Sequence, residues 1–350
     1  MTPGSRRTFL ALSGSTMVGL AACHGSSAAP HYTAKTTLGI SGTHFAINGL
    51  PVFLLGCSYY AALGATDATW KSDLDELQRL GFNWIRIWAT WASFENDISA
   101  VHPKTGLARE PYLGRLKELL TDCDRRGMIV DVTLSRGNSV TGPAKLQQPE
   151  AHLEAVKVLV TQLRPWKNWF LDLSNERNLT DKRHTSYAAL RSLAEMAHQI
   201  DPQRLLTASF AGDFGAEDLK AYVTEVKVDF LSPHRPRGAE SPGQTEGRSL
   251  EWLQATQALG KALPILHQEP FRRGYGFSPA LQDYVTDLRG AVKSGSAGWC
   301  FHQGDARKAP DGRPRRSFDL RDATLFAQLD QVERDVIVGL AAIVQEGAAK

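Results

Sequence analysis

Short apolar runs alternate along the chain with segments in which apolar positions recur every three or four residues. Eight runs suit strands buried on both faces: residues 52–56, 83–88, 128–134, 169–174, 204–209, 228–232, 263–268 and 297–302. The stretches between them read as amphipathic helices. Leu74, Leu77 and Leu80 share one side of the first, and Leu113, Leu116, Leu119 and Leu120 one side of the second. Gly81 and Gly127 stand where helix C-caps are expected. Further helices are predicted over 150–163, 184–200, 216–225, 250–259, 279–293 and 322–344. Eight strands, each followed by a helix, imply an α/β chain folded as a (β/α)8 TIM barrel. Ahead of it, Asn48 and Gly49 separate two strand-like runs, the signal of a short N-terminal β-hairpin. Residues 233–248 read as a long polar loop lying over the barrel mouth.

Composition agrees with one large domain: 350 residues, 42% hydrophobic and 22% charged, with no second domain, internal repeat or low-complexity tract. The first residues depart from the pattern. Arg6 and Arg7 precede a mildly apolar run from Phe9 to Ala22 that lacks acids, is short for a membrane span and contains Gly14 and Gly19. Residues 1–22 are therefore expected to be an export signal, and the paired arginines resemble a Tat address. Leu20, Ala21, Ala22 and Cys23 resemble a bacterial lipobox, which implies acylation of Cys23 and attachment to a membrane surface, with ordinary cleavage nearby as the alternative. Residues 23–36 then form a tether, and 37–350 the single barrel. The expected location is periplasmic or cell-surface.

Cleavage before Cys23 removes two arginines and no acid, so the formal charge of +3 becomes +1. Nothing in that balance suits nucleic acid. With Cys23 acylated, Cys57, Cys123 and Cys300 remain, an odd number that argues against a disulfide framework. Cys57 and Cys300 would be close in a closed barrel, where either a bond or two buried thiols would fit. A monomer is expected.

In this architecture chemistry sits where strands end, so the first polar residues after each run carry the argument. Strand two supplies Arg86 and Trp88, strand four Asn175 and Glu176, strand six His234, strand seven Glu269, and strand eight Trp299 and His302. Glu176 and Glu269 are the two glutamates placed immediately at predicted strand ends, and strands four and seven face each other across a barrel mouth. Glycosidic cleavage needs such a pair, one carboxylic acid for the leaving oxygen and one carboxylate for the oxocarbenium-like carbon. A cationic arginine beside Glu269 would keep it ionised, while burial and the neighbouring negative charge would raise the pKa of Glu176.

These residues, with the entry FAINGLPVFLLG and the stretch GFNWIRIW, make the chain resemble the retaining glycoside hydrolases of clan A, similar to family-five cellulases and mannanases. The resemblance implies β-glycosidic cleavage of an oligo- or polysaccharide by double displacement, without metal or organic cofactor. It implies Glu176 as general acid/base, Glu269 as nucleophile, Asn175 as donor to the sugar 2-hydroxyl, Arg86 as partner of the nucleophile and Trp299 as subsite floor. His234, His302 and Tyr59 would complete the sugar site. The clan often carries a tyrosine two residues after the strand-six histidine; here that position is Pro236, and Tyr275 is the expected substitute.

Each residue also has a purely structural reading. Glu176 would complement a helix N-terminus, Glu269 before Pro270 would open a loop, Arg86 would be an internal ion-pair partner, and Trp88, Trp91 and Trp299 would be packing. Two other functions compete: a lipoprotein that binds polysaccharide without cutting it, and a metal-dependent hydrolase using His234, His267 and His302.

Overall fold

The computed structural model describes residue 1 and residues 32–93, 96–137, 146–270, 277–304 and 318–348. Contacts divide the chain into two units, Met1–Tyr32 and Thr33–Lys350. All strands and helices named below belong to the second. Among the described residues no helix is long and apolar enough to cross a membrane.

Three antiparallel strands come first: β1 (Leu38–Ser41), β2 (His44–Ile47) and β3 (Leu50–Val52). Asn48 and Gly49 turn the chain between the last two with φ of 53° and 82°, the left-handed pair that a two-residue hairpin demands. Seven parallel strands follow: β4 (Leu54–Ser58), β5 (Trp84–Trp88), β6 (Ile129–Thr133), β7 (Trp169–Asp172), β8 (Leu206–Thr207), β9 (Leu266–His267) and β10 (Gly298–Phe301). Their order is β8-β7-β6-β5-β4-β10-β9.

Residues 229–232 occupy the remaining place. Asp229 N–H donates to Leu206 O at 2.9 Å, Leu231 N–H to Pro264 O at 2.8 Å and Leu266 N–H to Leu231 O at 2.8 Å. Leu231 also bridges Ile265 in parallel. The sheet thereby closes, and the predicted eight strand positions are all filled.

Alternation along the strands makes two apolar layers. Leu54, Trp84, Ile129, Phe170, Phe230, Leu266 and Cys300 pack together inside, whereas Leu55, Ile85, Ile87, Val130, Val132 and Leu171 join the helices outside. Gly56 is small because of this filling: a Cβ there would lie 2.0 Å from the Trp84 ring. The hairpin closes the N-terminal end. Phe45 is fully buried and meets Phe230 edge-to-face at 5.0 Å and Phe170 at 6.2 Å.

The cysteines settle by the same alternation. Cys57 and Cys300 lie on adjacent strands, but Cys57 points to the helical layer and Cys300 to the interior, and with Cys123 both are free, buried thiols.

Helices form at Asp67–Arg79, Tyr112–Arg126, Pro149–Leu163, Tyr187–Ile200, Leu281–Lys293 and Gln331–Ala348, close to the expected ranges. The segment expected as a long loop over 233–248 differs. From Ser241 it is already helical, and the helix runs as Ser241–Ala258. Pro242 fits the first turn, where no N–H is needed, and buried Thr245 donates through Oγ1 to Asp287 Oδ2 at 2.6 Å on the neighbouring helix. A Cβ at Gly290 on the neighbouring helix would come within 3.0 Å of Glu246 N.

Candidate active site

Above the inner apolar layer the barrel interior turns polar, and Arg86 of β5 is its centre. Arg86 is fully buried and points inward among acceptors. Its Nη1 donates to Glu269 Oε1 at 2.5 Å, Nη2 to Asn175 Oδ1 at 2.7 Å and Nε to Thr133 Oγ1 at 3.2 Å. Asp131 and Asp172 lie at 3.4 Å each. Burial alone would lower the pKa of the guanidinium, but Glu269, Asp131 and Asp172 outweigh that and raise it above its ordinary value. Burial pushes the Asp131 carboxyl above the usual carboxylate range, against the pull of Arg86.

Glu269 follows β9 and is 5% exposed. Besides Arg86, its Oε2 accepts from Arg237 Nη2 at 2.8 Å and lies 3.1 Å from His302 Nε2 and 3.6 Å from His234 Nδ1. Burial opposes ionisation, but His234, His302, Arg86 and Arg237 together hold the carboxyl well below the usual range. Glu269 is thereby held in its ionised form.

Glu176 reaches the same point from β7. Leu173 N–H and Asn175 N–H continue the ladder to Thr207 O and Leu134 O, and then Glu176 turns with φ of 50°, a left-handed conformation unusual for a residue with a side chain. Ser209 Oγ accepts from its N–H at 3.0 Å. This turn aims the carboxyl into the mouth. Its Oε1 lies 3.4 Å from His234 Nδ1, and its Oε2 pairs with Arg183 Nη1.

The pKa of Glu176 departs from expectation. Burial raises it, as does Glu269, but the hydrogen bond and charge of His234 and the charge of Arg183 bring the balance below the ordinary carboxylate value. Arg183 carries no sequence signal that ties it to Glu176. It sits in the loop 177–186, pinned where Arg177 Nε donates to Thr185 O at 3.1 Å and stacks its guanidinium over Tyr187 at 3.9 Å.

His234 stands between the two glutamates, its Nε2 3.3 Å from Gln268 Oε1. One carboxyl oxygen of Glu176, one of Glu269 and a nitrogen of His234 lie within 4.8 Å of one another. These are also metal-ligand types. Arg86, Arg183 and Arg237 each pair with one of those carboxylates, however, so a divalent cation would meet three positive charges at close range. The donor set fits a carboxylate pair better than a metal.

Of the other expected residues, Trp88, Asn175 and His302 line the same mouth. Trp88 lies beneath the Arg86 guanidinium at 4.4 Å and stacks on Tyr60 at 4.5 Å, with Trp91 beside both. All three rings are buried. His302 Nδ1 is 2.7 Å from Ser58 Oγ, and Tyr60 Oη reaches the same ring at 3.0 Å.

Tyr59 and Trp299 do not reach the site. Tyr59 faces outward and donates to Asp73 Oδ2 at 2.8 Å on helix Asp67–Arg79; Trp299 faces outward and donates through Nε1 to Asp287 Oδ1 at 2.6 Å on helix Leu281–Lys293. Both have the wrong strand parity. Counting in steps of two from inward Leu54 selects Tyr60, and from inward Cys300 selects His302. His267 likewise points outward, bonded to Ser249 at 3.0 Å. Tyr275 and Cys23 lie outside the described residues. Arg237, one residue after Pro236, donates to Glu269 Oε2 at 2.8 Å.

Neither a family model nor a curated protein matches the chain. Solved structures do. The endo-1,4-β-mannanase from Rhizomucor miehei superposes with a TM-score of 0.61 at 13% identity, over 90% of this chain and 100% of that one. The exo-β-1,4-mannosidase Op5Man5 from Opitutaceae bacterium strain TAV5 gives 0.61 at 18% identity, over 88% of this chain and 62% of that one. A Bacteroides vulgatus protein put forward as a glycoside hydrolase gives 0.65 at 13%, over 87% and 60%. The chain thus spans about three fifths of two of these relatives. At such identities the likeness shows the fold: this chain is an α/β (β/α)8 barrel.

Proposed function

We propose that the protein is a retaining glycoside hydrolase that cleaves β-glycosidic bonds of an oligo- or polysaccharide. The observation that carries this reading is the convergence of one carboxyl oxygen each of Glu176 and Glu269 to within 4.8 Å at the C-terminal end of the barrel, with Glu269 held ionised by His234, His302, Arg86 and Arg237. Retaining enzymes keep their carboxyl groups about 5–5.5 Å apart, whereas inverting ones leave room for a water at about 6.5–9.5 Å.

In the first step a Glu269 oxygen bonds to the anomeric carbon as the glycosidic C–O bond breaks, and the proton on Glu176 passes to the leaving oxygen. In the second, water attacks that carbon, gives its proton to Glu176, and the ester to Glu269 breaks. Asn175 contributes by its fixed orientation: its Oδ1 is taken by Arg86, which leaves the amide N–H2 as the donor for a sugar hydroxyl.

Two of the similar structures are a mannanase and a mannosidase, so β-mannan is the first neutral substrate to try. Glu176→Gln is expected to lower kcat on natural glycans by roughly 10²- to 10⁴-fold, and Glu269→Gln to abolish turnover. Product captured early should keep the β configuration by NMR; an inverted first product overturns the two-step reading. The pairing of Glu176 with Arg183 favours one second reading, a protein that binds glycans without cutting them. Unaltered glycan binding in both variants, with no turnover of any glycan by the wild type, would establish it.

A further inference from the structure

Two of the cations at the mouth have a character that neutral sugars do not require. Arg86 is fully buried and belongs to the internal scaffold, but Arg183 and Arg237 come from separate loops and keep 32% and 21% of their side chains exposed. One stands on each glutamate. Arg183 pairs with Glu176 and also with Asp181, at 2.7 Å from Nη2 to Oδ2, while Arg237 donates to Oε2 of Glu269 and Arg86 to its Oε1. A guanidinium is a planar fork suited to carboxylate and sulfate, and charge-assisted bonds of this kind are about twice as strong as neutral ones.

Arg183 also creates a chemical conflict. A general acid must hold a proton, and Arg183 and His234 favour the ionised form of Glu176. The conflict ends if a ligand draws Arg183 away. A negative group on the sugar would do so, since it offers the guanidinium a new partner and brings its own negative charge beside Glu176, which favours uptake of the proton that the first chemical step spends. The substrate would then assemble the acid by binding.

We propose that the substrate is an anionic glycan, carrying a carboxylate or sulfate next to the scissile bond, and that Arg183 and Arg237 select it. This rests on the hydrolase reading but is tested separately. Uronate-containing and sulfated oligosaccharides, run as separate arms, are compared with neutral β-mannan and β-glucan oligosaccharides of equal length. The expected result is a kcat/KM higher by about 10-fold or more on one charged arm, the size of one charge-assisted hydrogen bond, shrinking as salt is added. Arg183→Gln should erase most of that preference. It should also move the basic limb of the kcat/KM profile on neutral substrates to higher pH, with Glu269 and His234 the remaining titratable groups facing Glu176. Arg183→Lys keeps the charge and should restore part of the preference, and thermal unfolding checks that both variants fold.

Neutral oligosaccharides cut as fast as both charged arms, with both glutamates required, would overturn this inference and leave the hydrolase standing. Cleavage of no glycan would instead overturn the hydrolase. Calorimetric binding of the same oligosaccharides then decides the inference: equal or absent affinity for charged and neutral ligands rejects it.

Discussion

Arg86 shows how one residue serves both stability and chemistry. It stands among Asp131, Asp172 and Glu269, all within 3.4 Å. Removing the cation leaves buried carboxylates without their counter-charge, a change that typically costs about 3–5 kcal/mol. Arg86→Met is therefore expected to lower stability by that amount in urea unfolding and to raise the pKa of Glu269. Two buried histidines set a second dependence. Burial lowers His152 to about 4 and His267 to about 3. An imidazole depressed in this way stabilises the fold above the unfolded value of about 6.5, and that stability is lost as pH falls toward the folded values. His267→Gln should flatten the acid limb of stability against pH by about 1.4 kcal/mol per pH unit below ~6.5 relative to wild type. Residue by residue, the sequence disclosed Glu176, Glu269, Arg86, Asn175, His234 and His302, because each follows or lies in a recognisable strand. Tyr59 and Trp299 misled because strand parity depends on where the first inward residue falls. Arg183 and Arg237 were invisible, since their contacts join loops to strand ends far away in sequence.

At the scale of elements, periodicity located the strands because each is short, apolar and buried on both faces. It failed over 241–248, where Pro242, Gly243 and Gly247 carry loop chemistry but helix packing prevails. Strand six was found as an apolar run although it makes little regular ladder of its own; its backbone bonds to both neighbours show why it must be there. The interior layer gives two measurable expectations. Phe45→Ala would open a void among Phe170 and Phe230 and should cost about 3–5 kcal/mol. Gly56→Ala would drive a methyl into the Trp84 ring and should cost about 3 kcal/mol, the upper end for overpacking. Both are read from thermal or urea unfolding.

For the whole molecule, the three described cysteines are free and buried, so a reductant should leave the melting temperature unchanged. We propose further that Cys23 is acylated after export, on the strength of the lipobox-like Leu20–Cys23 sequence following Arg6 and Arg7. Cys23→Ser should then move the protein from the membrane fraction to the soluble one, as immunoblotting of the fractions would report. Phe45 has one more effect at this scale. It seats on an inner layer of Trp84, Phe170 and Phe230 that fills the barrel axis, so any ligand of Glu176 and Glu269 meets them from the C-terminal mouth.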